Sequence, residues 1–336
     1  MRLQKLTYSL TIILLVAVLF AVVILSICTG EIKIDIKQII EILSNKNSIE
    51  YDVLLKLRIP RTITALAVGG SLSLCGVILQ GIYRNPLVEP FTLGISGGAS
   101  LGVAIAIVSG LSVLGAYILP LFGFAGAFIT IFLVYFLSIR NRRIEINQML
   151  LIGIMLSFIS SSMVMFLMSI TSAEKINNIV FWTMGSLSNT NIKTALGLLF
   201  LSMLSLIIAY IYFTPLNALR LGESKAQHLG INAQVSIRVL FVLTSVLTGC
   251  CIAATGVIGF VGLIVPHTAR LITSNNYKIL LASSFLIGSI FLILCDLLAR
   301  IIIFPNELPI GVITGILGGL SFLFILHKSK NKSRIG

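Results

Sequence analysis

The chain has 336 residues, 57% hydrophobic and 10% charged, with a formal net charge of +13. Soluble domains carry about 25% charged residues, so this composition excludes a water-soluble enzyme core. The basic residues fall in short segments between apolar runs, which excludes a concentrated nucleic-acid surface.

The apolar runs are roughly 20 residues long and lack the alternation of barrel strands, so crossing lipid imposes helices. The reading is an all-α polytopic membrane protein, a single transmembrane domain over residues 1–336. Arg2 and Lys5 precede the first run, Leu6 to about Cys28. Ile27 is bulky where a processing site wants a small residue, and further spans follow, so this is an uncleaved helix rather than a signal peptide. Residues 31–56 are charged and mixed in sign, an outside segment in which Ile32, Ile34, Ile36, Ile39, Ile40 and Leu43 predict a short interfacial helix.

The span Thr62–Ile82 carries Gly69, Gly70, Ser71, Ser73 and Gly76. Small residues let helix backbones approach, which places this helix at the centre of the bundle. Asn85-Pro86 and Glu89-Pro90 break the chain at the inner face, and another span begins near Phe91. Spans at about Val113–Ile139 and Asn147–Ile170 flank the basic loop Arg140-Asn141-Arg142-Arg143. Thr171–Lys193 reads as an outside loop. Its Trp182, the single tryptophan, is an interfacial anchor or, less simply, a ligand contact. The sixth span is about Thr194–Phe213.

Pro215–Asn232 is the longest stretch of polar helical character, two short helices broken at Gly222. Leu216 and Leu219 mark an apolar face on the first, Ala226 and Leu229 on the second. Glu223 suits the start of a helix and Gly230 its end. A hairpin of this kind is either a loop on the lipid surface or a docking surface for a soluble partner. Val235–Ala254 crosses next. Only about ten apolar residues then precede Pro266, too few to cross, so a short or broken helix inside the bundle is expected. Ile279–Leu298 is the ninth span, residues 304–309 an outside turn, and Ile310–Leu326 the tenth, with Gly311, Gly315 and Gly319 along one face. Gly76–Arg84 and Gly262–Arg270 share a spacing, an echo that chance explains nearly as well as an internal repeat.

With both termini inside, fifteen of the 24 Lys and Arg residues lie on the inner side, and most acids lie outside. This positive-inside bias sets the orientation. The sequence has no phosphate-cradling G-x-x-x-x-G-K-[ST], no H-E-x-x-H and no nucleophile elbow. His228, His267 and His327 share no metal spacing, the five cysteines read as packing residues, and no cofactor is expected. Asp296, four residues before Arg300, is the best titratable group within a span. It reads first as a helix-end ion pair and second as a proton relay. Glu89, between two prolines, reads as structural. Arg58, Arg61 and Arg300 lie outside against the charge bias, as interfacial anchors or as a cationic patch for an acidic partner.

RIPRT, NPLVEPFTLGISGGASLG, LGESKAQHLGIN, GFVGLIVPHTARL, the Asp296–Arg300 pair and ELPIGVITGILGG occur in this order over nearly the whole chain. Together they resemble the FecCD-type permeases of ABC importers, which take up iron-siderophores, haem, cobalamin and some oxyanions. The resemblance implies about ten transmembrane helices in the type II importer architecture, in the plasma membrane with both termini cytoplasmic. The implied partners are a cytoplasmic ABC ATPase dimer, a second permease copy or paralogue, an extracytoplasmic substrate-binding protein and membrane lipid. It implies coupling helices at about 215–231, with Leu216, Leu219, Gly222, Glu223, Lys225, Ala226, Leu229 and Gly230 on the ATPase. Arg58, Arg61 and Arg300 would dock the binding protein, and Ile146 and Asn147 would stand at the cytoplasmic gate, without the small hydroxyl residues the family has there. Asn85, Pro86, Glu89, Pro90, Pro266, His267, Arg270, Asp296 and Pro309 are structural signature positions. The chain is expected to be non-catalytic, with ATP hydrolysed by its partner. The other reading is a self-sufficient transporter or channel using Asp296.

Overall fold

The computed structural model describes residues 2–332 apart from 31–33, 36–37, 45–47, 141–142 and 304–305. Ile32 and Ile36, the middle of the basic loop and the start of the outside turn therefore lie outside the described residues. The helices in order are α1 (Arg2–Cys28), α2 (Ile39–Ser44), α3 (Ile49–Asp52), α4 (Ile59–Tyr83), α5 (Ile95–Val108), α6 (Ile118–Leu137), α7 (Ile146–Ser169) and α8 (Ala173–Thr183). They continue as α9 (Ile192–Ile211), α10 (Phe213–Leu219), α11 (Glu223–His228), α12 (Ala233–Thr255), α13 (Val261–Ile272), α14 (Tyr277–Ile301) and α15 (Ile310–Lys332). Between α6 and α7 a two-residue antiparallel pair, β1 (Ile139–Arg140) and β2 (Arg143–Ile144), closes the basic loop, with Ile139 opposite Ile144. Among the described residues, seven helical segments are long and apolar enough to cross a membrane, and α5, α13 and Ile310–Phe324 are shorter apolar helices.

The central position expected for α4 is what the structure shows. Its spanning segment is the most buried of the seven, and its glycines explain why. A Cβ on Gly69 would meet Gly288 and Leu292 of α14, and one on Gly76 would strike the backbone of Gly262 in α13. The two halves of the sequence echo thus meet each other at their first glycines. Ser73 Oγ donates to Ser284 O at 2.7 Å across the same seam. The helix also starts earlier than expected. A π-helical stretch, Val53–Arg58, joins α3 to α4 without a break, and Leu54 packs with Ile34 and Ile42 beneath the end of α1.

Two other expectations change. Residues 171–193 are not an open loop: α8 occupies half of the segment, because Ser172 opens a stretch with Ile176, Ile179 and Val180 at helical spacing. Trp182 on α8 packs its ring against Gly123 of α6 and is only half-buried, so it is more than a surface anchor. Second, Ala226 and Leu229 do not share a face. Ala226 is buried while Leu229 is 63% exposed, because α11 ends at His228 and Leu229 belongs to the turn beyond it.

Candidate functional site

The predicted functional residues fall at opposite ends of the bundle. At one end α10 and α11 form a helical hairpin whose inner side is apolar: Leu216, Leu219 and Ala226 are buried. Gly222 makes the turn at φ 109°, a backbone angle that side chains resist, and Gly230 ends the hairpin at φ 79°. The hairpin is bolted to the start of α14. Asn217 Nδ2 donates to Asn276 Oδ1 at 3.1 Å, Tyr277 N donates back to Asn217 Oδ1 at 3.2 Å, and Arg220 Nη1 donates to Asn275 O at 2.7 Å. Its outer side carries Leu221, 56% exposed, Leu229 and the exposed Lys225 and His228. Leu221 was missed in the sequence because it directly precedes the glycine break.

Glu223 starts α11 and accepts a hydrogen bond from Gln234 Nε2 at 3.1 Å. The same amide accepts from Ile144 N at 3.0 Å through Oε1. Gln234 therefore joins the hairpin to the strand that leads into α7. Ile146 and the exposed Asn147 form the first turn of that helix, so the expected gate positions stand two and three residues beyond this bond.

Nearby, Asn85 Oδ1 accepts from Leu87 N at 3.0 Å, and Pro86 and Pro90 flank a short 3-10 turn capped by Glu89 and Thr92. Glu89 is half-buried, with its Oε2 atom enclosed. One carboxylate oxygen has no hydrogen-bond partner among the described residues, and the carboxylate accepts from the backbone N–H of Phe260. Burial pushes its pKa up to about 7, with the Phe260 hydrogen bond opposing. Phe260 itself sits at φ 69°, where it opens α13. Pro266 lies inside α13, His267 is half-buried, and Arg270 Nη1 donates to Gln80 Oε1 at 2.6 Å. Gln80 in turn donates to Gly262 O at 3.2 Å, so α4 and α13 are pinned by an amide as well as by glycines.

At the other end, Asp296 is fully buried between two arginines. Arg61 Nε donates to Oδ1 at 2.8 Å, and Arg300 Nη2 stands 3.2 Å from Oδ2 as an ion pair without hydrogen-bond geometry. Arg61 also holds Glu307 through Nη1, at 2.8 and 2.9 Å to its two oxygens. Glu307 was not anticipated; its signal was an acid beside Leu-Pro in an outside turn. Arg300 Nη2 also donates to Ser26 Oγ at 2.8 Å. Arg58 is 5% exposed and donates to Ile27 O at 2.8 Å. The structure brings Arg61 and Arg300 together on Asp296, and Arg58 joins Arg300 at the end of α1 without reaching that carboxylate. Arg61, Glu307 and Pro309 border a cavity of about 910 Å³ whose wall also includes Trp182, Ser186, Ser188 and Thr255. Among the described residues, no group of three His, Cys, Asp or Glu side chains could hold a metal ion.

The profile of the FecCD transport family matches residues 16–328. The chain belongs to this family. It is 33% identical to the molybdate import system permease protein MolB of Haemophilus influenzae, over 97% of this chain and 96% of that one. It is 32% identical to the vitamin B12 import system permease protein BtuC of Klebsiella pneumoniae, over 98% and 96%. A solved ABC transporter described as of metal-chelate type, in an inward-facing conformation, superposes with a TM-score of 0.85 over 95% of this chain and 99% of that one, at 32% identity. This FecCD chain is a multi-pass ABC importer permease, a class of subunit that works with ATPase and permease partners.

Proposed function

We propose that the chain imports a metal chelate of the iron-siderophore, haem or cobalamin class, driven by ATP hydrolysis in a partner subunit. The observation that carries this reading is the hairpin: an apolar inner side fixed to α4 and α14, and an outer side that offers Leu221, Lys225, His228 and Leu229. Such a surface suits a soluble ATPase better than lipid, because its exposed leucines are interleaved with charge. Both termini and the hairpin are then cytoplasmic, in line with the positive-inside bias. When the ATPases close, the hairpin moves with the start of α14 and, through Gln234, pulls on the first turn of α7 at Ile146 and Asn147. The permease has to make different contacts in its two states for this coupling to work.

The cavity at the opposite end favours a chelate as cargo. At about 910 Å³ it is at the upper end of small-molecule sites, roughly 300–1,000 Å³, and far larger than a bare oxyanion needs. Docking of an extracytoplasmic binding protein belongs to the same proposal, at the face that carries Arg58, Arg61 and Arg300. Arg58 and Arg300 are committed inward, so Arg61 engages a partner carboxylate by exchanging Glu307 for it.

The deciding experiment is purification of the tagged chain from its native membranes in mild detergent. A stoichiometric soluble ATPase in the eluate, with activity stimulated by ligand-loaded binding protein, is the expected result. A chain that elutes alone and transports after reconstitution without any ATPase overturns the reading. Attention would then move to a self-sufficient transporter working through Asp296.

A further inference from the structure

A groove of about 300 Å³ runs between α6 and α12, lined by Phe124, Phe128, Phe132, Phe136, Phe241 and Val242 and their neighbours. The rings follow one face of α6 at four-residue spacing. Phe128, Phe132 and Phe136 are each about half exposed, so the groove opens outward. Its floor is firm: Tyr135 stacks on the buried Phe241 with centroids 6.3 Å apart. On α12 the lining residues Val242, Val246 and Gly249 continue a strip that begins at the exposed Arg238. Arg238 makes no ion pair with a described residue and sits at the hairpin end of the bundle. In the sequence, Arg140, Arg142 and Arg143 follow the end of α6.

The length of the strip identifies the occupant. Arg238 to Gly249 spans eleven residues, about 16 Å at the helical rise. That is about half the roughly 30 Å hydrocarbon core of a bilayer, the depth of a single leaflet. An apolar slot one leaflet deep with the Arg238 cation at its open end matches one acyl chain below one anionic headgroup. We propose that this groove is a specific site for an anionic phospholipid of the leaflet on the hairpin side. Its headgroup pairs with Arg238 and one acyl chain lies along the phenylalanines. The site lies where α12 leaves the hairpin, four residues after Gln234, so an occupied groove braces the helix that Gln234 links to α7.

The test is native mass spectrometry of the full chain in detergent with equal amounts of palmitoyl-oleoyl phosphatidylglycerol and phosphatidylcholine. Each basic residue near a headgroup contributes about a fivefold preference for the anionic lipid. The wild type is therefore expected to retain phosphatidylglycerol at least about fivefold better. Arg238→Gln should remove most of that preference and Arg238→Lys should keep it. Val246→Trp, at a position already 38% exposed, should fill the slot and reduce retention of both lipids. Equal retention of the two lipids by the wild type, or the same retention in all three variants, overturns the proposal. So does high-yield disulfide linkage between copies of a Phe132→Cys variant in native membranes, which would seat a second copy of the chain in the groove.

Discussion

Asp296 is held by Arg61 on one side and Arg300 on the other, with no exposure to solvent. Removing one partner of a buried pair costs roughly 3–5 kcal/mol, because the remaining charge stays buried. Arg61→Ala should therefore lower the melting temperature in detergent markedly, and Asp296→Asn should do the same by stranding two guanidiniums. A melting curve that is unchanged in both would show that the pair is dispensable. Glu307→Gln loosens only the exposed side of Arg61. It should leave the melt within about 0.5 kcal/mol of wild type while raising affinity for the binding protein, read by titration at two salt concentrations. Glu89 gives a pH signature. Its carboxyl is raised to about 7, so the stability it contributes is complete below about 4.5 and is lost as pH climbs through about 7. Glu89→Gln stays neutral, and should overtake the wild type in melting temperature at pH 8.5 relative to pH 5.5. Parallel pH dependence in the two proteins would rule out a raised carboxyl.

Among the elements, the hairpin separates residues that hold it from residues that present it. Leu221→Asp with Leu229→Asp should reduce ATPase recovery by tenfold or more and leave the melt unchanged. Leu216→Asp places a charge in the packed side and should destabilise the whole chain. Gln234→Leu should keep ATPase association but lower transport per ATP hydrolysed, since it cuts the bond from Glu223 to Ile144 without touching the outer surface. The helical order, the central α4, the break at Gly222 and the short α13 were all legible, because glycine, proline and apolar run length act locally. The helix α8 was not, since its eleven residues are too short to cross a membrane and Glu174, Lys175, Asn177 and Asn178 give its first half a loop-like polarity, although Ile176, Ile179 and Val180 keep helical spacing. The fates of Leu229 and Arg58 were equally hidden. Whether an exposed-looking residue turns inward depends on a helix end or a distant carbonyl that spacing does not report.

For the molecule as a whole, the family motifs mark residues that the structure gathers at the two ends of the bundle, while the links between elements are long-range and invisible in any one motif. Arg61 reaches residues 235 and 246 positions away, and Gln80 reaches 182 and 190. The seam around α4 carries a consequence for how the chain is made. Its glycines are shaped for backbones at Gly262 and Gly288, which leave the ribosome long after α4 has entered the bilayer. At roughly 5–20 residues per second, the wait is on the order of 10–40 s. Through that interval α4 can pack on α9 and α12 as they emerge, but its glycine seam still lacks α13 and α14. A nascent chain stopped before α13 should therefore be a preferred substrate for membrane proteases, whereas one stopped after α14 has every surface that α4 requires.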